Sequence, residues 1–144
     1  MRHVGVFLPI FLVLSATANA ADVPIRVLDG KYEGVFAAPP APGCGINAPM
    51  NEPMTFFIST KGEAVRIKWV SPFGSRLEFA APLVRSGDGW ALAGRYTASN
   101  KLGAGTFTGR LIAAAHGVIF IHQFRSATAP GCIGEGTMAG TKPF

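Results

Sequence analysis

The sequence predicts an all-β protein: an up-and-down antiparallel meander that closes into an eight-stranded barrel. Apolar and polar residues alternate with a period of two over most of the chain, which is the period of β-strands and not of helices. Short stretches of turn-forming residues separate the alternating segments. The 18 glycines and 11 prolines disfavour helices in most windows. A β-sandwich is the alternative architecture for the same strand pattern.

Eight alternating segments are predicted as strands. In AVRIKWV, residues 64–70, the apolar residues face one side of a strand and the two cations face the other. RLEFA, beginning at residue 76, alternates in the same way, and SPFGS between them supplies Pro and Gly for a hairpin reversal. The predicted strands are 31–37, 53–60, 64–70, 76–84, 90–97, 105–113, 118–124 and 133–142.

The connections and the glycines favour a closed meander. TKGE, SGDG, SNKLGAG and AAHG stand at four of the joints, and such short links favour pairing between consecutive strands. Glycines inside the strand patterns permit the sharp coiling or the bulges that a small barrel requires. Closure also removes exposed strand edges. These glycines are Gly34, Gly94, Gly109, Gly134, Gly136 and Gly140.

A short repeat contains both cysteines. APGCG at 41–45 reappears as APGCI at 129–133, and each copy places Pro second and Gly third of four residues, as a type II turn requires. Each cysteine also follows a phenylalanine by eight residues, and these two phenylalanines, Phe36 and Phe124, end the first and seventh predicted strands. The pattern indicates two similar exits from strand to loop.

The two cysteines, Cys44 and Cys132, are predicted to form a disulfide. A bond between them ties the loop after the first strand to the start of the last strand, which fits a barrel whose first and last strands are neighbours. No cysteine or histidine spacing of a zinc site occurs. We therefore expect no metal and no cofactor.

The amino-terminal segment predicts export. Arg2 and His3 precede an apolar run over 4–14, and small residues follow up to Ala20, as in a secretory signal peptide. We expect residues 1–20 to be removed, 21–144 to form a single domain, and the protein to be periplasmic or secreted, where disulfides persist. The apolar run is well short of the roughly 20 residues that span a membrane, so the protein is not expected to be membrane-spanning.

The charge distribution argues against nucleic acid as a partner. The chain has 13 Lys and Arg residues against 8 Asp and Glu, a formal net charge of +5. The cations are spread singly along the strands and form no run, which is typical of solvent-facing strand positions.

No catalytic residue is predicted, because the chain lacks a nucleophile elbow, a metal pair and a phosphate loop. His122 lies in VIFIHQF and shares a strand face with Phe120 and Phe124, so it is interpreted as an inward-facing histidine of the core or rim. The alternative is a weak enzyme in which Glu135 reaches His122, if the seventh and eighth predicted strands pair.

Ligand binding is the favoured function. The interior of an eight-stranded barrel is either filled by side chains or holds one small ligand, and eleven phenylalanines could fill it, so both possibilities stay open. The candidate ligand-binding residues are amphipathic aromatics and the inward histidine, namely Tyr32, Trp69, Trp90, Tyr96 and His122.

Two segments carry a resemblance to known proteins. DGKYEGVF at 29–36 resembles the start of calycin-type barrels such as lipocalins and avidins, although Tyr32 stands where the lipocalin GxW has tryptophan. GRYTASNKLGAGTFTGRLI at 94–112 is similar to the glycine-punctuated hairpins of small exported bacterial proteins. The resemblance implies non-catalytic binding of a small apolar molecule in the barrel lumen.

A second functional hypothesis is a protein-interaction or enzyme-inhibitor module whose partner is a protein of the cell envelope. It would use PPAPGCGINAPMNEP at 39–53, where prolines and a cysteine could fix a binding surface in advance.

Overall fold

The computed structural model describes residues 25–71 and 74–143, so the predicted leader 1–20 lies outside the described residues. Within them there are nine β-strands, two short 3₁₀ turns (Ile25–Leu28 and Pro42–Cys44) and no α-helix. The strands are β1 (Gly30–Ala38), β2 (Met50–Lys61), β3 (Ala64–Val70), β4 (Arg76–Pro82), β5 (Val84–Ser86), β6 (Gly89–Ala98), β7 (Ala104–Ala113), β8 (Gly117–Ser126) and β9 (Ile133–Thr141).

Eight of the strands form a closed antiparallel barrel, as predicted. The strand order is β4-β3-β2-β1-β9-β8-β7-β6, and pairing of β4 with β6 closes the ring. The first and last strands are neighbours, in register from Glu33 opposite Thr141 to Ala37 opposite Thr137. Every pairing is antiparallel, and consecutive strands are neighbours, so the meander barrel is confirmed over the sandwich.

The predicted fourth strand, 76–84, is divided in the structure. β4 ends at Pro82, whose ring leaves no N–H for a ladder hydrogen bond. The N–H of Leu83 donates to Glu63 O in the β2–β3 turn. The chain then returns to the edge of β6 as the three-residue β5, which lies outside the eight-stranded ring.

One half of the barrel interior is filled with side chains. At the end where β1 begins, the 3₁₀ turn Ile25–Leu28 covers the opening: Leu28 is buried, and its carbonyl accepts a hydrogen bond of 2.7 Å from the Tyr32 hydroxyl. Large inward residues of successive strands pack behind this plug. They include Phe56, Ile67, Trp90, Leu111, Phe120 and Met138, each at most 1% exposed.

The opposite end of the barrel, here called the disulfide end, is held by the predicted Cys44–Cys132 bond. The sulfur atoms are 2.03 Å apart and the Cα atoms 4.4 Å apart. The bond links the β1–β2 loop to the residue that precedes β9. It therefore fastens the same seam, β1 to β9, at which the sheet closes.

The repeated APGC turns differ in conformation. Gly131 has a φ of 78°, as the predicted type II turn requires. The type II prediction is wrong for the first copy, since Gly43 lies within the 3₁₀ turn and Gly45 adopts the left-handed conformation. The two turns lie against each other, because a Cβ on Gly43 would overlap the carbonyl oxygen of Gly131. Glycine in the first copy therefore gives the close approach that the disulfide needs, and glycine in the second gives the turn.

Candidate functional site

A cavity of about 240 Å³ opens into the barrel at the disulfide end. Its lining is predominantly apolar and comes from inward positions of β1, β2, β3, β4, β6 and β8, from the β1–β2 and β6–β7 loops, and from Glu135 of β9. Six rings dominate the walls: Phe36, Trp69, Phe79, Tyr96, His122 and Phe124. The filled half of the barrel lies beneath it, so the lumen is packed at one end and hollow at the other.

The rings form a continuous aromatic surface. Phe36 stacks on Trp69 with ring centroids 5.3 Å apart and on His122 at 6.2 Å. On the other side, Phe79 packs against His122 at 4.7 Å, and Tyr96 meets Phe124 edge to face at 5.4 Å. A planar or aliphatic apolar group entering the cavity would therefore contact π faces and ring edges on several sides.

Glycines of β9 make room for two of these rings. A Cβ on Gly136 would lie 2.8 Å from Phe36 Cε2 and 3.0 Å from His122 Nε2. A Cβ on Gly134 would lie 2.5 Å from Phe124 Cζ. Because real Cβ atoms do not come within 3.0 Å of a neighbouring atom, glycine at these two inward positions is what allows the Phe36 and Phe124 rings to lie directly against the β9 backbone.

The β1–β2 loop forms part of the cavity wall. Pro39, Ala41 and Ile46 line the cavity, and a β-bridge between Ala41 and Ile46 folds the loop on itself. The loop is shorter than the predicted 39–53, since β2 begins at Met50 and Asn51 already pairs with Ala37. Its apolar side chains therefore form one wall of the cavity at the open end of the lumen.

Two polar nitrogens of the wall have no hydrogen-bond partner. Trp69 Nε1 and His122 Nδ1 are both buried and unpaired among the described residues. Leaving such a group unpaired costs about 1–3 kcal/mol each. A third unpaired nitrogen, Trp90 Nε1, lies away from this cavity.

Burial determines the charge of His122. The side chain is 2% exposed, and desolvation lowers its pKa to about 4, so the imidazole is neutral at pH 7. A neutral imidazole has one N–H donor and one acceptor nitrogen. Two residues of the cavity wall, Trp69 and His122, each carry an unpaired ring nitrogen that is buried from solvent.

Glu135 does not pair with His122. The two strands do pair, but His122 lies opposite Gly136 and Glu135 lies opposite Gln123. Since successive residues of a strand point to opposite faces, Glu135 occupies an outward position, and it is exposed while its neighbour Gly136 is buried. The acid–base pair that the enzyme alternative requires is not formed.

The structure brings together three of the five candidate ligand-binding residues. Trp69, Tyr96 and His122 line the cavity. Tyr32 lies at the plugged end of the barrel, hydrogen-bonded to Leu28. Trp90 is buried in the filled half, with the Arg85 guanidinium 4.4 Å from its ring centroid. Tyr32 and Trp90 therefore lie outside the cavity. The alternation of the sequence shows which residues face inward, but it does not show how far along the barrel axis each residue lies.

Several cavity residues were not predicted. Phe36 and Phe124 are the two phenylalanines found eight residues before the cysteines, and both line the cavity beside the disulfide. That shared spacing was the available signal, because it places both rings at the strand ends nearest the bond. Lys101 lies at the mouth of the cavity, but the sequence does not indicate this position, because the surrounding residues have the pattern of an ordinary hairpin turn.

The described residues contain no group of three or more His, Cys, Asp or Glu side chains placed to hold a metal ion. None of the helical segments in this part of the chain is long and apolar enough to cross a membrane. The disulfide is compatible with an oxidising location outside the cytoplasm.

Comparisons with protein-family models, with curated protein sequences and with solved structures returned no match.

Proposed function

We propose that this protein binds a small, mostly apolar molecule in the cavity at the disulfide end and does not act on it chemically. The observation that carries the proposal is the pairing of an apolar, ring-lined cavity with two buried, unpaired nitrogens in its wall. Apolar pockets with a few convergent polar groups are the usual form of small-molecule sites.

The size of the cavity limits the ligand. A protein cavity of roughly 150 Å³ holds benzene, with six carbon atoms. By proportion, a cavity of about 240 Å³ accommodates an apolar body of about ten non-hydrogen atoms. The part of the ligand that lies inside the cavity is therefore small.

The polar atoms of the wall favour a ligand with a hydrogen-bond acceptor. The indole N–H of Trp69 can only donate, and an acceptor on a ligand that reaches it would recover the free energy lost by burying it unpaired. The resemblance of the first strand to calycin-type barrels agrees with a lumen ligand, but the proposal depends on the cavity itself.

We further propose that residues 1–20 direct export and that the barrel works in the periplasm or outside the cell. The leader pattern and the disulfide support this location together. Mass analysis of the protein recovered from the envelope and culture medium should give a chain that begins at Ala21. Recovery of the uncleaved chain from the cytoplasm would contradict the export proposal.

Binding can be tested with two substitutions at neighbouring positions of β1. Ala38 lines the cavity, whereas Ala37 faces outward and is exposed. We expect 1-octanol to bind the wild type in isothermal titration calorimetry, Ala38→Phe to abolish that binding by filling the cavity, and Ala37→Phe to leave it unchanged. Absence of binding to the wild type, or equal binding to both variants, would overturn the proposal.

A further inference from the structure

The mouth of the cavity carries a fixed positive charge. Lys101 lies in the β6–β7 turn and lines the cavity, and its ammonium donates a 3.0 Å hydrogen bond to the carbonyl oxygen of Gly45. Gly45 directly follows Cys44, so the acceptor belongs to the loop that the disulfide holds in place. The ammonium is thereby positioned over the mouth by the β1–β2 loop.

The backbone around Lys101 is fixed as well. The Asn100 side chain accepts a 3.0 Å hydrogen bond from the Leu102 N–H. The carbonyl of Leu102 accepts two more, from the hydroxyls of Tyr96 and Ser126, both at 3.0 Å. The turn is therefore anchored to the barrel wall on the side of the cavity, and a cation held in advance costs less conformational entropy to use.

Lys101 has donor capacity to spare. An ammonium has three N–H donors, and one is used on Gly45. Among the described residues no carboxylate lies within ion-pair distance of it, whereas Lys31, Arg66 and Arg110 each have an acidic partner. Glu135 is the other charged residue at the cavity, but it holds an outward position of β9 and forms no ion pair with Lys101.

We infer that the ligand is an amphipathic carboxylate, with an apolar body of about ten non-hydrogen atoms in the cavity and its carboxylate on the Lys101 ammonium. The inference rests on the proposed function, and it adds the sign and the place of the ligand's polar group. A carboxylate is favoured over an ammonium group because the Lys101 ammonium is held at the mouth by its hydrogen bond to Gly45, whereas Glu135, which also borders the cavity, is an exposed side chain on an outward strand position.

Three probes of equal chain length test the inference: octanoate, 1-octanol and octylammonium, titrated into the full protein at pH 7 and low salt. We expect octanoate to bind about 1.5- to five-fold more tightly than 1-octanol, the range for one exposed charge pair, and octylammonium to bind most weakly. Added salt should reduce the advantage of octanoate and leave 1-octanol unaffected.

Variants assign the effect to Lys101. Lys101→Gln should bring the octanoate affinity down to the 1-octanol affinity of the same variant, and Lys101→Arg should retain the preference. Lys61→Gln, at an exposed lysine of the opposite barrel end, is the matched control and should change neither affinity. Glu135→Gln should strengthen octanoate binding up to about three-fold by removing a like charge.

The outcomes separate this inference from the proposed function. If the wild type binds 1-octanol as tightly as octanoate, or if Lys101→Gln leaves the octanoate preference intact, the carboxylate inference is overturned and lumen binding stands. If none of the three probes binds, both fall. The 1-octanol affinity of each variant reports whether its cavity is still folded.

Discussion

His122 is the residue in which burial most clearly sets the chemistry. It is enclosed by the rings of Phe36, Phe79 and Phe120, with centroids between 4.7 and 6.2 Å away, and among residues 25–71 and 74–143 no acidic group compensates a charge there. Protonation in the folded protein is therefore unfavourable. The neutral imidazole is therefore a polar group within a largely apolar wall.

This arrangement makes stability depend on pH. The pKa of His122 is about 4 when folded, against 6.5 for the free side chain, so the unfolded chain binds the proton first as the pH falls. The stabilisation is complete above pH 6.5 and is lost as the pH falls toward 4. We expect the free energy of unfolding of the wild type to drop by about 3 kcal/mol more than that of His122→Phe between pH 7 and pH 4.

Urea unfolding at pH 7, 5.5 and 4 measures the difference. His116→Gln, at the exposed histidine of the β7–β8 turn, is the control for removing a histidine outside the core. Parallel pH profiles for the wild type and His122→Phe would show that His122 is not buried as described.

At the scale of the strands, the inward glycines have two separate roles. Those on β9 leave space for rings, as Gly136 does for Phe36. Others bring backbones together: a Cβ on Gly34 would overlap Ala139 O across the β1–β9 seam, and one on Gly94 would overlap Ala80 O across the β4–β6 seam. Both seams close the barrel, so these glycines permit the tight coiling that was predicted of them.

Gly34→Ala should therefore weaken the closure of the barrel. The atom in the way is a backbone oxygen of the neighbouring strand, which cannot move without breaking the ladder, so we expect the free energy of unfolding to fall by more than about 3 kcal/mol. The adjacent Val35→Ala is the matched control, since Val35 faces outward and is 44% exposed; it should cost less than about 1 kcal/mol. Equal effects of the two substitutions in chemical denaturation would contradict this role of Gly34.

The strand pattern could be predicted from the sequence because one face of nearly every strand is buried. Alternation in AVRIKWV, for example, matches the burial of Val65, Ile67 and Trp69. The break at Pro82 was missed because alternation continues through it. The cavity could not be predicted from the sequence. Whether Phe36 and Phe124 fill the lumen or line it depends on how closely their rings approach the β9 backbone, and that follows from packing in three dimensions.

For the molecule as a whole, the disulfide supports both the closure and the cavity. It spans 88 residues of the chain and fixes the β1–β2 loop, which lines the cavity and accepts the Lys101 hydrogen bond. In the loop-entropy model, a disulfide that closes a ring of this size stabilises the folded state by about 4–5 kcal/mol, because it restricts the conformations of the unfolded chain. That is a large part of the 5–15 kcal/mol typical of a whole domain.

The double substitution Cys44→Ala/Cys132→Ala should therefore lower the free energy of unfolding by about 4–5 kcal/mol. It should also weaken 1-octanol binding, because the loop that walls the cavity is no longer held. Chemical denaturation and calorimetry on the same sample give both numbers, with dithiothreitol-treated wild type as a comparison. A loss below about 1 kcal/mol would show that the bond is not what holds the seam.

The two tryptophans offer the most direct test of ligand binding in the disulfide end of the lumen. Both indole N–H groups are buried and unpaired, but only Trp69 lines the cavity. In ¹H–¹⁵N correlation spectra, with the two indole signals assigned by Trp69→Phe, titration with 1-octanol should shift the Trp69 signal to saturation and leave that of Trp90 in place. A Trp69 signal that does not move, or equal shifts of both signals, would contradict binding at this site.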